Sequence, residues 1–175
     1  MFDPLTQSSR HHPSGRELNA LTTEITILPM TEHDLLEVVE IEEQSGLSRW
    51  GWAAYYAELQ GNNRSLMLIA RPRSTEKGSH LVAAYIAARA SAGELHINNV
   101  AVREPYRRNG IALLLLTQAI EEGKRLGATT AFLEVRSGNL AAQALYQRCG
   151  FKPIARRPRY YSDPLEDAVV MRRSL

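Results

Sequence analysis

At 175 residues, with 44% hydrophobic and 23% charged side chains, the chain is long enough to bury a core and has the make-up of a soluble globular domain. Its formal net charge of +2 forces no nucleic-acid reading, and no apolar run approaches the roughly 20 residues that a membrane span needs. The single cysteine, Cys149, excludes an intrachain disulfide and fits a reducing cytoplasm.

Residues 1–22 are polar, carry Pro4, Pro13 and Gly15, and show no sustained period. They read as a mobile extension ahead of one domain over residues 23–175, and no continuous apolar stretch there resembles a signal peptide. The neighbouring His11 and His12 lack the further spaced ligands that a metal requires, so no metal site is expected. Alternation from Glu24 to Leu28 predicts a strand. Thr31, followed by Glu32 and Asp34, opens a helix on which Leu35, Val38, Val39 and Glu42 follow helical spacing toward Gly46. Trp50 to Leu59 predicts a second, short helix with Trp52, Tyr55, Tyr56 and Leu59 near one side.

Three strands are expected next, at Ser65–Ala70, Leu81–Ala88 and Glu94–Val102. Ile111 to Leu126 is a strong helical segment with Ala112, Leu116, Ala119, Ile120 and Gly123 at helical spacing, and Gly127 stops it. Thr129 to Arg136 reads as a strand, Asn139 caps a helix running to Cys149, and Gly150 ends that helix. Ile154–Arg157 and Ala168–Arg172 form a final hairpin pair. The resulting order, β-α-α-β-β-β-α-β-α-β-β, predicts an α+β fold with a mixed sheet of about six to seven strands and about four helices.

Chemistry concentrates in the second half. Arg107-Arg108-Asn109-Gly110-Ile111-Ala112 lies between a strand and a helix. The first N–H groups of a helix have no intrahelical partner, the helix dipole makes that end positive, and glycine allows close approach to the main chain. The turn is therefore either an anion site of the phosphate-binding kind or an ordinary turn with exposed arginines. In Thr129–Arg136, Ala131, Leu133 and Val135 face one way, while Thr130, Phe132, Glu134 and Arg136 face the other. Glu134 is then either a proton acceptor, since burial strengthens a carboxylate as a base, or half of an ion pair with Arg136 or another arginine. Twelve residues on, Tyr146 sits near the end of the helix capped by Asn139. Phenol and thiol have pKa values of about 10 and 8.5, so a placed tyrosine can protonate a leaving thiolate; the alternative is a core aromatic. Cys149, at a helix C-terminus where the dipole raises a thiol's pKa, is a poor nucleophile.

These residues resemble the GCN5-related N-acetyltransferases. Arg107 to Ala112 matches that family's Q/R-x-x-G-x-G/A signature, which binds the pyrophosphate of acetyl-coenzyme A. Within the superfamily the chain is similar to the RimI-type enzymes, which acetylate protein N-termini. The similarity lies at Asn99-Val100-Ala101-Val102, Leu133-Glu134-Val135-Arg136, Asn139 with Ala144-Leu145-Tyr146, Gly150-Phe151, and the tail Arg159-Tyr160-Tyr161 with Glu166-Asp167-Ala168 and Met171. It covers about Glu24 to Arg173.

The resemblance implies acetyl-coenzyme A as cofactor, coenzyme A as product, Glu134 as proton acceptor and Tyr146 as proton donor in a direct attack. Main-chain groups of Val100, Ala101 and Val102 would contact the pantetheine arm, and an N–H near Val100 or Ala101 would receive the oxyanion. Arg107, Arg108, Asn109, Gly110, Ile111, Ala112 and Leu113 would cradle the phosphates. Asn139 would touch the cofactor near its reactive end. Tyr160 and Tyr161, with the segment Ser45–Trp52, would line the peptide entrance. His96 would contact a water in the peptide channel, or serve as a reserve base. The implied acceptor is a protein or peptide N-terminus, the family type being the N-terminal alanine of a small-subunit ribosomal protein; no direct nucleic-acid or membrane partner is implied. Gln44 to Trp52 departs from the family pattern where the substrate pocket is shaped. Two other functions compete: acetylation of a small amine such as a polyamine or antibiotic, which predicts an acidic pocket, and non-catalytic acyl-coenzyme A binding.

Overall fold

A computed structural model describes residues 25–46, 49–61, 64–73 and 81–175. The expected extension over residues 1–22, with His11 and His12, lies outside the described residues. Among the described residues, seven strands form one sheet: β1 (Ile25–Pro29), β2 (Ser65–Pro72), β3 (Ala84–Ser91), β4 (Glu94–Val102), β5 (Thr130–Arg136), β6 (Lys152–Ser162) and β7 (Leu165–Ser174). Four helices accompany them: α1 (Leu35–Gln44), α2 (Gly51–Gln60), α3 (Ile111–Arg125) and α4 (Leu140–Arg148). The strand order is β1-β2-β3-β4-β5-β7-β6, antiparallel throughout except for β4 and β5. This is the α+β order expected from the sequence.

The sheet separates two cores. Because side chains alternate along each strand, Met67, Ile69, Tyr85, Ala87 and Ala101 point to one face and meet Leu35, Val38, Ile41 and Tyr55 of α1 and α2. Leu68, Ile86, Leu95, Ile97, Leu133 and Met171 point to the other and meet Leu115, Leu116 and Ile120 of α3, with Tyr146 of α4. The buried seam of α3 is Ile111, Leu115, Leu116, Ala119, Ile120 and Gly123; the expected Ala112 is only half-buried. Gly123 lets this helix close on β4. A Cβ there would lie 2.8 Å from Leu95 Cδ2, inside the core. Gly123→Val is therefore expected to overpack the site, at a cost of about 1–3 kcal/mol. A thermal melt checks this, since each kcal/mol lowers Tm by about 2–4 °C at this size.

The structure corrects several boundaries. β3 begins at Ala84 rather than Leu81, because side chains hold the preceding stretch. The Val82 N–H donates to Glu37 Oε2 at 2.7 Å, and the Val82 carbonyl accepts from Arg103 Nε at 3.1 Å. Only Tyr55 of α2 is fully buried, and Trp52, 45% exposed, stacks on Tyr56 at 4.7 Å. β6 is longer than expected. It is an edge strand, exposed almost throughout, with Pro153 and Pro158 and two register shifts against β7, so it has no period-2 signal to read.

Candidate active site

The sheet opens where β4 and β5 part. Their parallel pairing covers only Glu94–Ile97 against Thr130–Leu133. The cause lies on the opposite edge of β4. Ala88 pairs with Ile97 but Ala87 pairs with Asn99, so Asn98 is an inserted bulge residue. A bulge bends and twists its strand, and β4 swings away from β5 beyond that point. Main-chain groups from Asn98 to Val102 consequently face a gap in place of a partner strand. Val100, Ala101 and Val102, the residues expected against a pantetheine arm, lie on this open edge. The Val102 carbonyl accepts from Arg107 Nε at 3.0 Å, so one of the turn's arginines is engaged by its own chain.

The expected anion cradle follows directly. A short 3-10 turn, Glu104–Tyr106, leads into Arg107-Arg108-Asn109-Gly110. Arg108 (φ +66°) and Gly110 (φ +75°) are both left-handed, and the Asn109 amide ties the turn by donating to the carbonyls of Tyr106 and Arg107, each at 3.3 Å. No atom lies within 4 Å of where a Gly110 Cβ would stand, so it is the positive φ that calls for glycine here. The first intrahelical bond of α3 runs from the Leu114 N–H to the Gly110 carbonyl at 3.1 Å. The N–H groups of Ile111, Ala112 and Leu113 thus point out of the helix end without an intrahelical partner, beside Arg108. An unpaired strand edge leading to a positive helix end fits a long thiol ester with a phosphate-bearing tail.

Glu134 borders the gap, and Tyr146 lies on the opposite face of the sheet. β5 alternates as expected: Ala131, Leu133 and Val135 are buried toward α3 and α4, while Glu134 faces the side of α1 and α2. Its side chain is 28% exposed and pairs with Arg157 Nη1 at 3.3 Å, so of the arginines the sequence left open, Arg157 and not Arg136 is the partner. Tyr146 is buried, with its ring edge-on to Phe151 at 6.1 Å. Its hydroxyl makes no hydrogen bond among the described residues, and burial pushes its phenol well above the ordinary range. The proton therefore stays on the oxygen, as a donor requires. Tyr161 is near enough to feel the charges of Glu134 and Arg136 and to act on Tyr146; burial raises its own phenol to about 12.

Arg136 has a different task. Its guanidinium lies 4.3 Å over the Tyr161 ring. It also donates to the Asp163 carbonyl (2.8 Å), the Pro164 carbonyl (3.2 Å) and Glu166 Oε2 (3.1 Å). One side chain thus holds the β6–β7 turn over the end of β5, with Tyr160 edge-on to Tyr161 at 5.1 Å. Asn139 caps α4 as expected, its Oδ1 accepting from the Ala142 N–H at 3.0 Å, which leaves its amide nitrogen available for another contact. His96 lies on the face of Glu134, opposite Phe132, with which it stacks at 5.6 Å. Its Nε2 is 2.8 Å from a Glu94 carboxylate oxygen. Cys149 is buried, its thiol pushed up by burial, which argues against a thiolate nucleophile.

One residue of consequence escaped the sequence reading. Glu42 was grouped with the apolar stripe of α1, yet it is a carboxylate at 1% exposure holding the α1–α2 junction. An acid at a core-facing position of an amphipathic helix was the available signal. The other junction residue of note, Ser45, has a buried hydroxyl with no hydrogen-bond partner among the described residues.

Comparison with known proteins gives a consistent picture. The model of the acetyltransferase (GNAT) family matches residues 35–151. The ribosomal protein bS18-alanine N-acetyltransferase of Escherichia coli (strain K12) is 32% identical over 148 residues, covering 83% of this chain and 95% of the relative. The crystal structure of the ribosomal-protein-alanine N-acetyltransferase from Escherichia coli superposes with a TM-score of 0.72 at 30% identity, covering 86% of this chain and 93% of that one. Ard1 from Thermoplasma volcanium superposes with a TM-score of 0.77 at 25% identity, covering 87% and 98%.

Proposed function

The chain belongs to the acetyltransferase (GNAT) family, and from that premise we propose that it moves the acetyl group of acetyl-coenzyme A onto the N-terminal α-amino group of a protein. The observation that carries this reading is the gap between β4 and β5, with Glu134 on one face, Tyr146 on the other, and the open end of α3 beside it. The similarity to a ribosomal-protein-alanine acetyltransferase over most of both chains supports a protein acceptor, and a ribosomal protein leads the candidates. A cytoplasmic setting is supported by the single, unpaired cysteine.

Each residue has a defined task. Acetyl-coenzyme A supplies an acetyl group already activated as a thioester. The free edge of β4 from Val100 to Val102 lies along its pantetheine arm, and the turn from Arg107 to Leu113 takes its phosphates. Asn139 reaches the cofactor through its amide nitrogen. Holding donor and amine in one cleft removes much of the entropic barrier. An α-ammonium group cannot attack, so Glu134 takes its proton, directly or through a water. A main-chain N–H at Val100 or Ala101 stabilises the negative charge that builds on the acetyl oxygen. Tyr146 then gives its proton to the departing sulfur. Tyr160 and Tyr161, under the clamp of Arg136, form one wall of the acceptor entrance, the α1–α2 junction forms the other, and His96 lines the channel between them.

The test is thiol release from acetyl-coenzyme A with peptides that differ in their first residues, N-terminal alanine included, and spermidine as the contrasting amine. Saturable turnover that depends on the peptide's first residues is expected. Turnover of spermidine with no peptide accepted would move the function to small-molecule acetylation.

A further inference from the structure

The junction between α1 and α2 is closed by one buried side chain. Glu42 Oε1 accepts from the Trp50 N–H at 3.0 Å, the Tyr55 hydroxyl at 2.7 Å and Asn99 Nδ2 at 3.3 Å, and Oε2 accepts from the Gly51 N–H at 3.0 Å. Trp50 is the cap residue of α2, and its own side chain caps nothing. The carboxylate that satisfies this helix start comes instead from the preceding helix, and it complements the positive end of the α2 dipole. The network continues. Tyr55 spends its proton on Glu42, so its oxygen accepts from the Tyr85 hydroxyl at 2.9 Å and from Asn99 Nδ2 at 2.8 Å. Burial holds both phenols protonated, far above their ordinary range. One carboxylate, two phenols and one amide therefore join α1, α2, β3 and β4.

Burying a charge costs stability unless it is fully partnered, and an apolar residue of similar size would fill the same helix position at less cost. What this arrangement adds is geometry. Asn99 immediately follows the bulge residue Asn98, where the free edge of β4 begins. Trp50 and Gly51 end the segment that walls the acceptor entrance. Glu42 ties these two places together and reaches Asn99 across 57 residues of chain.

We propose that Glu42 is a positioning residue for the acceptor amine: it fixes the α1–α2 wall against β4 at the bulge, so that the amine meets the thioester at a set distance. This rests on the reading above only in taking the α1–α2 junction as the acceptor wall, and it holds whichever amine is accepted. Glu42→Gln turns an amide nitrogen toward one of the two N–H groups and leaves that donor without an acceptor. Tyr55→Phe leaves the carboxylate and its bond from Asn99 in place, but cuts its link to β3 through Tyr85 and removes the second hold on Asn99.

The experiment is steady-state kinetics of the full chain, with acetyl-coenzyme A and acceptor varied separately and both the peptide panel and spermidine used. Loss of a hydrogen bond to a charged group corresponds to about a tenfold change or more. Both variants are expected to raise the acceptor KM by about that factor, with the KM for acetyl-coenzyme A unchanged. Equal rises in both KM values, or no rise in either, overturn the proposal, since a general loosening of the fold would not spare one substrate. If Glu42→Gln does not yield folded protein, Tyr55→Phe carries the same test alone. If the wild-type chain turns over spermidine and no peptide, the protein-acceptor reading fails while the KM split is still measured on spermidine.

Discussion

Replacing Glu134 by glutamine is expected to lower kcat by about 10²–10⁴-fold near neutral pH, the range typical of a lost general base. Glutamine has nearly the same shape, so packing on β5 is preserved. The ion pair with Arg157 is lost, but Arg157 is 54% exposed, and such pairs contribute little to stability. Acetyl-coenzyme A binding, measured by calorimetry, stays unchanged, because the β4 edge and the α3 turn are untouched. The pH dependence carries the mechanism. A free α-amino group titrates near pH 7.7–8.0, so raising the pH through about 8 supplies neutral amine from solution. The deficit of the variant therefore narrows as pH rises. A deficit of constant size across that range would mean that Glu134 orients the acceptor and does not take its proton.

Tyr146→Phe is expected to lower kcat by roughly 10²-fold or more, with the acceptor KM little changed. The fold has no stake in the hydroxyl. It makes no hydrogen bond among the described residues, and the edge-on contact with Phe151 at 6.1 Å is one that phenylalanine keeps. With no hydrogen bond lost and the ring contact kept, the variant should melt at about the same temperature as the wild type. The chemistry gives a second check. If Tyr146 protonates the leaving sulfur, the loss shrinks with an acetyl donor whose thiol is more acidic, because such a thiolate departs without help. Equal losses for both donors, or a fall in Tm matching the loss in rate, would assign Tyr146 to packing.

Much of this arrangement was legible in the residues themselves. The α3 helix announced itself through its apolar period and its closing Gly127, and Asn139 caps α4 through the side-chain bond its residue type suggested. The facing of Glu134 away from Leu133 and Val135 followed from period-2 alternation alone. The glycine turn stands at the start of α3 as the sequence suggested, and its glycine takes a positive φ. β6 escaped because an exposed edge strand with two prolines carries no alternation. The sequence leaves open which arginine pairs with Glu134, because Arg136 and Arg157 are chemically alike. Which of them reaches the carboxylate depends on how β6, β7 and β5 lie side by side.

The division has a physical basis. Helix caps, strand alternation and left-handed glycines are decided by groups a few residues apart, so the sequence by itself determined the order of elements, the glycine turn at the start of α3 and the face on which Glu134 stands, while the proton-handling roles of Glu134 and Tyr146 are what the family resemblance implies. The parting of β4 from β5 arises from a register shift at Asn98 against β3. The burial of Glu42 is tolerable only because donors from α2 and β4 converge on it. Register and convergence are relations between distant segments, which no local pattern records, so tertiary structure alone decided where the sheet opens and what ties the α1–α2 junction to β4.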